Sequence, residues 1–329
     1  KLKNIQADIK SGNFKQGYLL YGEEAYLKQQ YKQNLVKALN PDGDTMNFNH
    51  YEGKGIDVKQ LIDLCETMPF FAERRVVLLE DTGFFKNKCE ELADYMKELP
   101  DYLYLVFAET EVDKRNRMYK AVKACGSIAE FIRQDEKTLM RWAAGILGKA
   151  GKKITQRDME LLLTKTGTDM GNLRMEMEKL ISYTEGRDVV TAEDIEEICT
   201  TQTTNRIFDM VRAVTEKNQK RALELYYDLL TLKEPPMRIL FLLAKQYRQL
   251  LLAKQFAAAG LAQTEIASKL GVPGFVVRNI TTCARAYTIS ELEQAVKDFV
   301  DAEESVKTGR LEDKLSVELL IIKYSSKVK

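Results

Sequence analysis

Tyr18-Leu19-Leu20-Tyr21-Gly22-Glu23-Glu24-Ala25-Tyr26-Leu27 is the stretch that decides the fold. Four apolar residues in a row, stopped by a glycine, read as a strand buried on both faces. From Glu24 the period changes. Leu27, Tyr31, Leu35 and Leu39 recur at helical spacing, so a helix runs to Leu39. A strand, a glycine turn and a helix open a crossover unit, the connection that parallel strands require. The pattern repeats outward along the chain. Met46–Tyr51 alternates as a second strand, and Val58, Leu61, Ile62 and Cys65 share one helical face. Arg75–Glu80, Tyr102–Phe107 and Ser127–Phe131 are further strands. Residues 1–140 are therefore expected to form a parallel-sheet α/β domain.

The turn at Gly22-Glu23-Glu24 is where a phosphate-binding loop belongs in such a domain. That loop needs glycines whose backbone N–H groups cradle phosphate, a lysine for charge and a hydroxyl for magnesium. Neither Gly-Lys-Ser nor Gly-Lys-Thr occurs anywhere in the chain. Glu23 and Glu24 favour the start of a helix and repel phosphate. The expectation is a degenerate nucleotide site at Gly22, Glu23 and Glu24 that does not hydrolyse nucleotide. Two acids, Glu80 and Asp81, follow the Arg75 strand in the manner of a magnesium-binding strand end, a weak signal without the phosphate loop.

Beyond residue 140 the spacing stays helical. Lys137–Ala150, Gln156–Lys165 and Asp169–Tyr183 are amphipathic, and Thr191-Ala-Glu-Asp194 is a capping box opening the next helix. These make a small helical domain, residues 141–210. Residues 211–329 form a second all-helical domain, in which Pro235-Pro236 breaks the chain and starts a long helix.

Composition narrows the function. The 329 residues carry 50 Lys+Arg against 49 Asp+Glu, a net charge of +1, so a strongly basic nucleic-acid protein is not expected. The small positive excess lies in residues 211–329, net +5, while 1–140 and 141–210 are each −2. One histidine, His50, builds neither a catalytic triad nor a multi-histidine metal site. Cys65, Cys89, Cys125, Cys199 and Cys283 are scattered without a CxxC pair, which suits reduced thiols in a cytoplasmic protein and gives no metal site. No apolar run is long enough to span a membrane. No catalytic residue and no cofactor is expected.

Three stretches carry candidate contacts. Thr67-Met68-Pro69-Phe70-Phe71-Ala72-Glu73-Arg74-Arg75 lies between a helix and a strand, where polar turn residues belong. Adjacent side chains diverge, so one core does not readily take both rings. The pair either caps the sheet or stands out as an aromatic wedge for a partner's apolar pocket. Residues 264–280, from Thr264 through Gly271 to Ile280, resemble a helix-turn-helix. Phe275, Val276 and Val277 dominate its second helix where a DNA reader carries polar side chains, so it is either a packing unit or a DNA-binding regulator's motif. Lys114-Arg115-Asn116-Arg117-Met118-Tyr119-Lys120 is a solvated helix face, or else a contact to nucleic acid or to a subunit.

Taken in order, several segments resemble the delta-subunit family of the bacterial DNA polymerase III clamp loader. They are Tyr18–Leu27, Met68-Pro-Phe-Phe71-Ala-Glu-Arg-Arg75 with Val76–Leu79, and Gly167-Thr-Asp169 with Leu173, Glu176–Leu180 and Tyr183. Ile207-Phe208, Ala222-Leu223, Glu234-Pro-Pro236-Met-Arg-Ile-Leu240, Asp301 and Val306-Lys-Thr-Gly309 complete the set. The resemblance implies an AAA+-like (RecA-type) domain, a helical lid at 141–210 and a helical collar at 211–329. It implies a subunit without a working phosphate loop, accessory to a DNA-directed DNA polymerase, which is a nucleotidyltransferase. It places a clamp-binding element on Met68, Pro69, Phe70 and Phe71, which opens the sliding clamp for loading on primed DNA. Its implied partners are that clamp (beta) and the delta prime and gamma/tau subunits of a heteropentamer, with primed DNA met through the complex.

Overall fold

The computed structural model describes residues 2–201 and 203–326. The chain divides into two compact units, Lys1–Gln134 and Asp135–Lys329.

The first unit runs α1 (Leu2–Ser11), β1 (Gly17–Tyr21), α2 (Ala25–Leu39), β2 (Phe48–Glu52), α3 (Val58–Glu66), β3 (Arg75–Glu80), α4 (Glu90–Tyr95), β4 (Leu103–Glu109), α5 (Arg117–Cys125) and β5 (Gly126–Glu130). All five strands are parallel, in the order β2-β3-β4-β1-β5. The two-residue period sorts the side chains onto two faces. Leu19, Tyr21, Val77, Leu79, Leu105 and Phe107 meet Leu61 of α3, Leu92 of α4 and Met118 of α5. Tyr18, Leu20, Val76, Leu78 and Val106 meet Ile5 of α1 and Leu35 and Leu39 of α2. Burial on both faces is why β1, β3 and β4 read as unbroken apolar runs. β2, at an edge, is only half-buried.

The second unit runs α6 (Glu136–Lys149), β6 (Lys153–Ile154), α7 (Gln156–Thr166), α8 (Met170–Tyr183), β7 (Val189–Val190), α9 (Ala192–Ile198), α10 (Thr203–Thr215), α11 (Gln219–Thr231), α12 (Pro236–Ala258), α13 (Gln263–Leu270), α14 (Gly274–Ala284), α15 (Ile289–Lys307) and α16 (Asp313–Ser325). Helix starts follow the capping residues. Asp135, Thr155 and Asp169 each accept a backbone N–H of the first turn. Thr191 and Asp194 form the capping box expected from the sequence. One hydrophobic cluster, with Leu147, Leu162, Met177 and Ile195, spans α6 to α9. A larger one, with Val211, Tyr226, Leu243, Tyr247, Phe299 and Val317, spans α10 to α16.

The fold class is the expected one, a parallel α/β domain followed by helices. One detail is corrected. The region read as all-helical contains a two-stranded parallel ladder, with Lys153 opposite Val189 and Ile154 opposite Val190. Its strands are two residues long, too short to impose any hydrophobic period.

Candidate functional site

The loop between α3 and β3 carries three exposed apolar side chains. Met68 is 75% exposed, Phe70 56% and Phe71 94%. The two rings pack edge to face with centroids 4.5 Å apart at 80°. Neither phenylalanine enters the core. Phe71 has φ of +49°, the left-handed region that bulky side chains avoid.

Two buried polar residues hold that backbone. Asn47, just before β2, grips both ends of Phe70. Its Oδ1 accepts the Phe70 N–H at 2.6 Å and its Nδ2 donates to the Phe70 carbonyl at 2.8 Å. Nδ2 also donates to Asp44 Oδ2 at 2.5 Å, and the Asn47 carbonyl accepts Val76 N–H at 2.9 Å. The Asn47 amide, with the Met46 N–H, holds the Asp44 carboxyl below its usual range. Arg75, the first residue of β3, is 5% exposed and reaches back under the loop. Its Nε donates to the Thr67 carbonyl at 2.9 Å, and its two terminal nitrogens donate to the Met68 carbonyl at 3.3 Å and Asn49 Oδ1 at 3.2 Å. The rigid guanidinium fork suits three acceptors in one plane. Arg74 turns outward over the rings of Phe14 and Tyr104, 5.1 and 5.6 Å from their centroids. The scaffold role of Asn47 is invisible to sequence reasoning, because its partner lies 23 residues away. An arginine at the head of an otherwise apolar strand is the one available signal.

The turn at Gly22, Glu23 and Glu24, expected from the sequence to be a degenerate nucleotide site, is closed by backbone. Phe131 N–H donates to the Tyr21 carbonyl at 2.7 Å, and Glu24 N–H donates to the Phe131 carbonyl at 3.0 Å. Gly22 sits between them with φ of +125°, where an added Cβ would lie 2.3 Å from the Phe131 oxygen. The Glu24 amide at the head of α2 is thus already bonded. Glu24 is buried, and Glu23 is exposed with Arg133 3.5 Å away.

The two acids at the end of β3 are also engaged. Glu80 takes the Lys32 ammonium at 2.6 Å and His50 Nε2 at 2.9 Å. His50, for which the sequence offers no partner, finds one across β2 and β3. Asp81 Oδ1 accepts the Thr110 N–H at 2.9 Å. Nearby Glu109 is buried and accepts Thr82 N–H at 3.1 Å and Thr82 Oγ1 at 2.6 Å. Burial pushes its carboxyl up despite those bonds. Among the described residues no group of three or more His, Cys, Asp or Glu is placed to hold a metal ion. The five thiols are free, and burial pushes that of Cys65 up to about 12.

The basic run at 114–120 is largely paired. Lys114 meets Glu130 at 2.9 Å, Arg115 meets Asp113 at 3.0 Å and Arg117 meets Asp94 at 2.7 Å. Asn116 caps α5, whose Met118 and Tyr119 are buried. The helix-turn-helix stretch folds as α13, a left-handed Gly271 and α14, with Val277 and Ile280 buried in the core. No helix among the described residues is long and apolar enough to cross a membrane.

A five-stranded parallel domain with a sealed first loop and an aromatic knuckle before its third strand, followed by helices, defines a class. The fold is that of a solved DNA clamp loader delta protein of Bacillus subtilis, with a TM-score of 0.68 at 23% identity, covering 99% of this chain and 100% of that one. Residues 18–131 match the family model described as DNA polymerase III, delta subunit, and residues 204–324 match that of its C-terminal domain. DNA polymerase III subunit delta of Bacillus subtilis is 26% identical over 97% of this chain and 95% of its own length. A probable DNA polymerase III subunit delta of Aquifex aeolicus is 22% identical over 78% of this chain and 75% of its own. The chain belongs to the DNA polymerase III delta-subunit family.

Proposed function

We propose that the chain binds a ring-shaped sliding clamp through Met68, Pro69, Phe70 and Phe71, and holds one interface of the ring open for loading on primed DNA. The observation that carries this reading is Phe71, almost wholly exposed on a strained backbone that buried Asn47 and Arg75 fix from beneath. A molecule gains nothing in its own stability by ordering two phenylalanines in water; the arrangement serves a partner's pocket.

The work is mechanical in this proposal. Nucleotide hydrolysis belongs to other subunits, a reading supported by the sealed Gly22 turn and by Glu80 held on Lys32. Residues 1–140 act as the AAA+-like clamp-binding domain, 141–210 as lid and 211–329 as collar, joining delta prime and gamma/tau in a heteropentamer. The cellular setting is the cytoplasm.

Titration calorimetry against the sliding clamp of the same organism, without nucleotide, tests the proposal. Burying a phenylalanine is worth roughly 1.5–3 kcal/mol, and Phe70 is already half covered, so Phe70→Ala/Phe71→Ala should cost about 3–4 kcal/mol, several hundred-fold in affinity. An unchanged affinity refutes the assignment.

A further inference from the structure

The charge of this chain is unevenly spread. Residues 235–290 carry seven lysines and arginines and a single carboxylate, Glu265, while the remainder of the chain is net acidic. Glu265 is committed to its own helix, where it accepts the Ala262 N–H at 2.9 Å. Some cations elsewhere close on neighbouring acids, as Arg117 does on Asp94 at 2.7 Å and Arg310 on Glu304 at 2.9 Å. Here Lys245, Arg248, Arg278 and Arg285 are exposed and make no ion pair among the described residues.

Two of them form a ridge. α14 turns Val277, Ile280, Cys283 and Ala284 into the core and leaves Arg278, Thr282 and Arg285 outside, spaced i, i+4, i+7. Arg285 also lines a groove of about 530 Å³ together with Lys254, Gln263 and Thr281. Lys254 gives one N–H to the Ala284 carbonyl at 2.9 Å, leaving two for a ligand, and its charge is felt by the Glu291 carboxylate. Glu136 approaches the opposite end of α14, at Gly274.

We propose that the outer ridge of α14, Arg278 and Arg285 with Lys254 in the adjoining groove, binds the phosphodiester backbone of duplex DNA without reading its sequence. Exposed guanidinium groups that make no ion pair among the described residues recognise phosphate by charge and by their donor fork. Seven residues of helix separate the two arginines by about 10 Å, close to the ~12 Å width of the major groove, so they can address facing phosphate rows. The ridge has little with which to read bases. The Thr281 and Thr282 hydroxyls donate to the Val277 and Arg278 carbonyls, both at 2.9 Å, and Asn279 is half-buried. Positions 278, 282 and 285 offer no aromatic ring on which a single strand would stack.

Fluorescence anisotropy of the full chain with labelled duplexes of two unrelated sequences, titrated between about 50 and 200 mM salt, tests this. Both duplexes should bind alike. Arg278→Ala/Arg285→Ala should weaken binding about tenfold or more and lower the salt slope by about two, one for each phosphate that the variant leaves unneutralised. Lys307→Ala/Arg310→Ala, which removes two paired cations, should leave binding unchanged, and Arg278→Lys/Arg285→Lys should restore most of it. Unaltered binding by the double alanine variant overturns the proposal. So does strong preference for one sequence, or for oligo-dT over duplex. Indifference to DNA with binding of poly-glutamate through the same arginines would identify an acidic protein surface as the occupant instead. The ridge lies in α14 and the aromatic knuckle in the first unit, so each outcome leaves the clamp-binding test intact.

Discussion

Arg75→Met separates the scaffold from the wedge it supports. The substitution keeps an unbranched apolar stem and removes the guanidinium, while Met68, Pro69, Phe70 and Phe71 stay in place. Three bonds disappear, one of good length at 2.9 Å to the Thr67 carbonyl and two long ones at 3.3 and 3.2 Å. A charge-assisted bond contributes about 1.5–3 kcal/mol net; counting the short one at the lower figure and the long pair at half of it each gives ~3 kcal/mol. The loop can partly re-solvate its freed carbonyls, so the measured loss of stability should be about 2–3 kcal/mol. The consequence for binding is sharper. A loop that must be reordered on contact loses part of its pre-organisation, and clamp affinity should fall about tenfold with the phenylalanines untouched. Arg75→Lys supplies a point charge where a fork is needed and should recover less than half of either loss. Urea unfolding followed by circular dichroism gives the first quantity, and calorimetry against the clamp gives the second. If Arg75→Met matches the parent in affinity while Phe70→Ala/Phe71→Ala abolishes binding, the idea that buried polar residues aim the wedge is wrong.

Two further outcomes follow from local geometry. Gly22→Ala places a methyl 2.3 Å from the Phe131 oxygen at φ of +125°, so it should cost more than about 2 kcal/mol and lower the thermal midpoint by several degrees in a melting curve. Asp194 is held below the usual carboxylate range: burial opposes this, and the Thr191 and Arg187 donors outweigh it. Its contribution is present above the ordinary carboxylate pKa and is lost as pH falls through the depressed one. Asp194→Asn should therefore lower stability near neutrality by about 1–2 kcal/mol, and its melting curve should approach the parent's in strong acid; a constant gap at every pH would contradict the linkage.

The strands legible in the sequence are those buried on both faces. Arg75–Glu80 reads with its observed ends, because Val76-Val77-Leu78-Leu79 admits no helical stripe. α1 escapes a sequence reading because its inward packing is carried by so little apolar surface, Ile5 above all. α4 is six residues long and opens at Cys89, which makes no side-chain cap, so no start signal marks it. The site divides in the same way. Phe70 and Phe71 stand out because adjacent rings in a turn are locally anomalous. Asn47 and His50 do not, because their partners are set by the β2–β3 register, a tertiary fact that no local window contains.

The seal at Phe131 has a mechanical side. The chain leaves the first unit at Gln134, three residues beyond Phe131, whose two backbone bonds to the rest of that unit lie close to the exit. Phe131 is stitched by its N–H to the end of β1 and by its carbonyl to the start of α2. β5 is the edge strand and pairs only with β1, in parallel, so a pull along β5 loads that one ladder in shear, and β1 passes the load on to β4. The Gly22 turn thus lies against the stitch that joins the exit of the first unit to β1, and through β1 to the middle of the sheet.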